Sequence, residues 1–342
     1  MKTVVQNKDG NTGRRNGLDL FRLIGAFFIM CIHTDFGNMN GEYVANIRLL
    51  ARWAVPFYFM ATGFFLGAKI VGNTLHFGRI QKNMSTLITI LIVSSTVYLP
   101  IDVLHGNNVN SIATILTGSY FHLWFIGALL TGYMVVWYLF YVGKAGILPY
   151  LSAAIVIFAL LTDSYDQLWG LALDFSLFSM LLAIPFMYIG ILVSKKDLNG
   201  FGTPVLIGSI LLGFGLQFVE ARFFETRFGY DPYTHQFLIG TLLAAIPLFV
   251  WSAKMDLGEN VFSTWGQKHS LFIYLYHPIV YEVMRVTVGT AFPDHFGEIN
   301  RFAPVIGLAL TLSFSIVLEK WFPSIFNVLN GKIAVRKQPE HA

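Results

Sequence analysis

The stretch Arg15-Asn-Gly-Leu-Asp19-Leu-Phe-Arg22-Leu-Ile-Gly-Ala-Phe-Phe-Ile-Met-Cys31-Ile-His33 is apolar enough to enter a bilayer, yet it carries an aspartate, an arginine and a histidine. On a helix turning about 100° per residue, the step from Arg22 to His33 rotates about 1100° and climbs roughly 16 Å. Asp19, Arg22 and His33 therefore share one face. Each ionisable group at membrane depth costs on the order of 2.5 to 3.5 kcal/mol even on the lenient insertion scale, so such groups normally face a protein interior or a wet cavity. The spacing predicts a transmembrane helix that forms one wall of a site, with Asp19 and Arg22 paired at i and i+3 to ease insertion. The absence of a small-residue cleavage site, together with the three ionisable groups, excludes a secretory signal peptide.

The rest of the chain has the same character. Of 342 residues, 55% are hydrophobic, 16% aromatic and only 12% charged, a composition of multi-spanning membrane proteins rather than of soluble domains. Apolar runs long enough to span lie at roughly 18–36, 53–71, 84–101, 120–142, 146–162, 170–193, 203–220, 235–252, 269–290 and 303–323. They predict an all-α integral membrane protein, a single bundle of about ten transmembrane helices. Turn signals separate them at Gly37-Asn38, Gly72-Asn73, Gly106-Asn107-Asn108, Lys195-Lys196-Asp197, Asp231-Pro232 and Pro293-Asp294. The expected organisation is a cytoplasmic tail over 1–17, a membrane domain over 18–325 and a second cytoplasmic tail over 326–342. With the amino terminus inside, about 16 Lys and Arg residues fall on the cytoplasmic side and about 5 outside, with Arg22 and Arg285 within spans. Both termini are therefore expected to be cytoplasmic. No internal repeat is evident.

The net charge of +4 is spread singly between spans and reads as topology signal, not as a nucleic-acid surface. A lone cysteine, Cys31, excludes an internal disulfide and Cys-based metal or redox motifs. Walker loops, Gly-x-Ser-x-Gly elbows and His-Glu-x-x-His motifs are missing, and no metal cluster is expected.

His33 is the leading candidate for chemistry, because general acid–base catalysis needs a side chain whose proton comes and goes near neutral pH. The structural alternative is a histidine that bonds a neighbouring helix. Arg52, at the head of the second span beside Trp53, either snorkels to headgroups or points into a cavity. In the same span Thr62 and Gly63 offer a narrow surface for a close helix neighbour, and Pro56 is expected to bend the first turn. Arg79 and Lys82 lie on one side of a helical start and can meet phosphates, or simply mark the inner side. His122 and Trp124 stand at the start of the fourth span, where an aromatic belt is the alternative. The ninth span holds Tyr274, His277, Glu282 and Arg285, and makes a second wall in which Glu282 and Arg285 can pair.

Gly17-Leu-Asp19-Leu-Phe-Arg22 running on to His33, Val55-Pro56-Phe-Tyr-Phe-Met-Ala-Thr-Gly63, His122-Leu-Trp124-Phe and Tyr274-Leu-Tyr276-His277-Pro278 together resemble the membrane acyltransferase family 3. Within it the chain looks most like surface-polysaccharide O-acetyltransferases and the membrane domain of vancomycin-resistance serine racemases. The resemblance covers essentially the whole chain. It implies about ten helices in a bacterial cytoplasmic membrane and transfer of an acyl group, usually acetyl from acetyl-CoA, to a hydroxyl of a cell-envelope glycan or glycolipid. His33 would be the base or acyl relay and Arg22 its partner, with Asp19 beside them. The family's Arg-x-x-x-Arg pattern, attributed to acyl-CoA, is here Arg79 followed at that spacing by Asn83, with Lys82 one short. The chain stops soon after its last span, so the membrane domain is expected to act without a racemase domain. The rival reading is a transporter of a small polar solute such as serine, its path lined by Asp19, Arg22, His33, Glu282 and Arg285. A structural scaffold gives no reason for so many costly groups in spans.

Overall fold

The computed structural model describes residues 15–106, 117–163, 165–169, 179–229 and 237–332. Residues 1–14 of the expected tail 1–17, residues 333–342 of the expected tail 326–342, the turn signals Asn107-Asn108 and Asp231-Pro232, and the first part of the run 170–193 lie outside the described residues. The helices are α1 (Asn16–Ile32), α2 (Gly41–Ala51), α3 (Ala54–Gly67), α4 (Phe77–Leu104), α5 (Trp124–Tyr141), α6 (Leu148–Thr162), α7 (Ala183–Ser194), α8 (Thr203–Phe228), α9 (Ile239–Lys254), α10 (Val261–Ala291), α11 (Ala303–Trp321) and α12 (Pro323–Leu329). A short turn of helix lies at Asp166–Trp169 and another at Phe296–Asn300. No strand occurs among the described residues.

Every apolar run read from the sequence contains a helix, and among the described residues six helical segments are long and apolar enough to cross a bilayer. These six are Gly41–Gly67, Phe77–Leu104, Trp124–Tyr141, Ala145–Thr162, Thr203–Phe228 and Ala303–Trp321. In the most apolar stretch of α4 only 22% is buried within the protein, and Ile92, Leu99 and Val103 stand outward. So large an outward apolar surface is tenable against lipid tails and not against water.

The interior is built by pairs of helices. α1 packs along α10, α3 along α7, and α8 along α9. The α3–α7 contact has no room between backbones: a Cβ on Gly63 would fall 2.0 Å from the Met187 carbonyl oxygen, and one on Gly190 would fall 2.0 Å from that of Met60. Without a hydrophobic drive between helices in lipid, such close approach of small residues is what holds them together.

α2 is an element that the sequence analysis left as a loop. Its signal is present: Asn40 caps the first turn by accepting a bond from the Glu42 N–H at 2.8 Å. Arg52 and Trp53 join α2 to α3. Pro56 has no N–H to give the Arg52 carbonyl four residues earlier, which interrupts the hydrogen-bond ladder there. Arg52 and Trp53 nevertheless keep right-handed helical torsions, and α2 runs on into α3 as one helical segment, Gly41–Gly67.

Replacing Gly63 with Leu should collapse the α3–α7 contact, and Gly63→Ala should cost about 1 to 3 kcal/mol as for other overpacked sites. Thermal unfolding in detergent checks this, and an unchanged melting temperature for Gly63→Leu would contradict the packing.

Candidate functional site

α1 ends at Ile32, and His33 is its C-cap residue, its N–H bonded to the Met30 carbonyl at 3.2 Å. The histidine thus stands at the mouth of a helix end instead of within a continuing helix. It borders a cavity of about 240 Å³. Arg48, Arg52 and His122 complete the polar lining, and Phe59, Trp124, Phe125, Phe186, Phe237 and Tyr274 supply aromatic walls. Such a lining, mostly apolar with a few convergent polar groups, is the usual build of a small-molecule site.

The cation pair is a consequence of α2. Arg48 and Arg52 are four apart, so a helical register through this segment sets them side by side. Nη2 of Arg48 donates to the Thr34 carbonyl at 2.9 Å, tying α2 to the end of α1. Asp163 acts electrostatically on Arg52 and accepts the Phe237 N–H at 2.7 Å, anchoring the cavity's far wall.

Three imidazoles meet behind the cavity. The rings of His33 and His277 are stacked with centroids 5.6 Å apart, and His277 and His122 meet edge to face at 5.7 Å. Phe121 packs edge-on against His33 at 4.9 Å. The His33 side chain makes no hydrogen bond among the described residues, so neither ring nitrogen is tied to another protein group. The other two rings are pinned. His277 Nδ1 lies 2.8 Å from the Tyr274 carbonyl and 3.1 Å from that of Ile273. His122 Nε2 lies 3.0 Å from the Leu275 carbonyl. Carbonyls only accept, so these nitrogens carry the protons. The opposite nitrogens, Nε2 of His277 and Nδ1 of His122, are buried with no partner within the protein. Each such group normally costs about 1 to 3 kcal/mol.

Pro278 explains why the Tyr274 carbonyl is available. In a helix that carbonyl would bond the N–H of residue 278, which proline lacks. His277 Nδ1–H takes the place of the missing donor. The Tyr274 hydroxyl in turn donates to the His122 carbonyl, and the Tyr98 hydroxyl donates to the Leu275 carbonyl at 2.7 Å, locking α4 and the start of α5 onto α10.

Of the residues singled out in the sequence, the structure gathers His33, Arg52, His122, Trp124 and Tyr274 on the cavity, with His277 against His33. It does not bring Asp19 and Arg22 there. They pair with each other at 3.4 Å, one of them buried and the other half-buried, about 16 Å down α1 from His33. Glu282 and Arg285 also sit outside the cavity lining. They pair at 2.8 Å with Arg285 60% exposed, and Glu282 also lies 3.7 Å from His105. Arg79 is on the surface at the opposite end of α3, its Nη1 donating to the Lys69 carbonyl at 2.9 Å, with Lys82 exposed nearby on α4.

The sequence analysis missed two residues. Arg48 was counted as an outer topology charge, and only reading 41–52 as a helix would have aligned it with Arg52. Lys69 places its Nζ 3.0 Å from Asn83 Oδ1, and Asn83 Nδ2 donates to the Tyr133 hydroxyl at 2.9 Å. Lys69 thus sets a cation at the position where Asn83 stands in for an arginine. Its signal was a lysine at the end of a span, indistinguishable from ordinary inner-side charge. No group of three or more His, Cys, Asp or Glu residues that could hold a metal ion occurs among the described residues.

These features define a multi-pass membrane protein with a partly open, mostly apolar cavity that two histidines and two arginines border. The chain belongs to the acyltransferase-3 family, whose acyltransferase-domain model matches residues 15–320. It is similar to an amino-acid racemase of Enterococcus faecalis, 24% identical over 357 aligned positions that cover 95% of this chain and 48% of the relative. A second amino-acid racemase of that organism is 32% identical over 136 residues, 36% of this chain and 18% of the relative. A serine/alanine racemase of Enterococcus gallinarum is 26% identical over 137 residues, 36% of this chain and 19% of the relative. The chain spans about half or less of the length of these relatives. No solved structure matches it.

The two arginine environments differ in what they hold. Arg285→Met should change stability by less than about 1 kcal/mol, the worth of an exposed pair. Arg52→Met, which removes a cavity-facing guanidinium that acts on Asp163, should cost more, about 1 to 3 kcal/mol. Thermal unfolding of the two variants in lipid should rank them in that order, and the reverse order would contradict the placement.

Proposed function

We propose that this acyltransferase-3 protein is a membrane O-acyltransferase that moves an acyl group, acetyl in the first instance, from acyl-CoA to a hydroxyl of a cell-envelope glycan or glycolipid. It crosses a bacterial cytoplasmic membrane ten times as one domain over 18–325, with cytoplasmic tails at both ends. The observation that carries the reading is His33, its ring nitrogens tied to no other protein group, at the edge of a cavity in a family of acyltransferases.

The donor's phosphates meet the basic end of α3 and α4, where Lys69, Arg79 and Lys82 gather. Gly67, the last residue of α3, is eight residues beyond Phe59 of the cavity, about 12 Å along the axis. The extended thiol arm of CoA enters along that length and brings its thioester to the cavity. Asp19 and Arg22 serve this donor side of α1, while His33 serves the reacting end.

His33 takes the proton of the acceptor hydroxyl as its oxygen bonds to the acyl carbon, the C–S bond breaks, and the departing thiolate recovers the proton from the imidazolium. Alternatively His33 itself first takes the acyl group with release of CoA thiol, and the hydroxyl then displaces it. In either order the carbonyl oxygen gains negative charge, and Arg48 and Arg52 are the cations beside it. Aromatic walls that hold out water favour the acceptor over hydrolysis.

Purified protein in lipid, given radiolabelled acetyl-CoA and envelope extract, should label a glycan or glycolipid fraction. His33→Ala should lower the rate by at least about 100-fold. Equal labelling by the two proteins would remove His33 from the chemistry. No labelling by either, with accumulation of serine by vesicles of the native protein, would favour transport instead.

A further inference from the structure

His33 can act as a base only if one ring nitrogen is a lone pair facing substrate, and in a neutral imidazole that requires the other nitrogen to carry the proton. Which nitrogen does so is set by the bond the N–H makes. Nothing among the described residues accepts that bond directly from His33. Beside it, however, stand two buried lone pairs, His277 Nε2 and His122 Nδ1, on side chains 0% and 1% exposed.

We propose that His277 and His122 are positioning residues that fix the tautomer of His33 through one shared water. A water has two hydrogens and two lone pairs. Donating one hydrogen to His277 Nε2 and the other to His122 Nδ1 uses both, so its oxygen can only accept, and it accepts the N–H of His33. The stacked arrangement of His33 and His277, with ring centroids 5.6 Å apart, disfavours a direct in-plane bond. Two hydrogen bonds of about 2.8 Å meeting at one water at a tetrahedral angle span about 4.5 Å between nitrogens, a separation that atoms about 1 Å off those centroids can reach. Three polar partners are the usual number for a buried water.

The lock is built from outside the site. Pro278 frees the Tyr274 carbonyl, that carbonyl holds His277 Nδ1–H, and the Leu275 carbonyl holds His122 Nε2–H. Neither ring can therefore turn its proton toward the water without losing a bond to the backbone. The proposal deepens the acyltransfer reading but is tested without relying on it.

The test is the ¹⁵N spectrum of histidine-labelled full-length protein in lipid nanodiscs, with signals assigned by single variants. Native protein should show His33 as one neutral tautomer. His277→Leu should give a mixture of both, and His277→Gln, whose amide oxygen restores an acceptor, should return the single form. Pro278→Ala leaves every cavity side chain in place but gives the Tyr274 carbonyl a backbone donor again, and it should also admit the second tautomer. A single unchanged tautomer of His33 in His277→Leu, or a mixture in the native protein, would overturn the proposal. In the transfer assay His277→Leu should lower kcat by roughly 10- to 100-fold with the acyl-CoA KM unchanged. A KM effect with kcat intact would also overturn it. If the tautomer responds as described while no acyl transfer occurs, the lock stands and the enzymatic reading falls.

Discussion

The carbonyl of Tyr274 has no helical partner, because the residue four positions on is Pro278. In a hydrocarbon surround an orphaned backbone group must find a donor inside the protein. It finds His277, and the consequences spread through the site. The neighbouring Leu275 carbonyl receives both Tyr98 and His122, so α4, the start of α5 and α10 are fastened together at one kinked turn. His33 then rests against His277 from the end of α1. A second proline acts by the same rule on the opposite wall. Pro56 leaves the Arg52 carbonyl without its helical donor where α2 runs on into α3, one turn from Arg48, which reaches the Thr34 carbonyl beyond His33. Two missing N–H groups thus shape both sides of one cavity.

This construction explains why costly groups are tolerated at membrane depth. His33, Arg48, Arg52 and His122 face a protein-lined space, not lipid, and the guanidiniums are engaged by the Thr34 carbonyl and by the field of Asp163. The charges that do not reach the cavity are neutralised locally, Asp19 by Arg22 and Glu282 by Arg285. The protein separates an end rich in imidazole and aromatic rings from a basic end where Lys69, Arg79 and Lys82 collect. An acyl-CoA has that same division between its phosphates and its thioester.

Much of this was legible in the residues because membrane insertion penalises charge so strongly. His33 stood out as expensive and Arg52 as a cation that either snorkels or faces a cavity, whereas His122 stood only at a span boundary where solvation was the alternative. The cavity gathers all three. Asp19 and Arg22 were read correctly as a pair on the face of α1 that leads to His33, but a shared helical face does not mean contact when about 16 Å of rise intervenes. Glu282 and Arg285 misled because an i, i+3 pair can satisfy itself at the surface without serving any site. Arg48 was hidden because α2 is only 11 residues long and too polar to register as a span. Lys69 was hidden because its partner Asn83 becomes a neighbour only through the turn between α3 and α4. The hydrogen-bond roles of His122 and His277 depend on backbone carbonyls brought near by folding, which no spacing along the chain reveals.

The central claim is that the cavity at the end of α1 is where the acyl group reacts. The most direct measurement is a structure in lipid with a non-cleavable acyl-CoA analogue. The account predicts its phosphates among Lys69, Arg79 and Lys82 and its acyl carbonyl within van der Waals contact of His33, beside Arg48 and Arg52. An acyl end resting elsewhere, with the cavity holding only an unreacted solute, would contradict it.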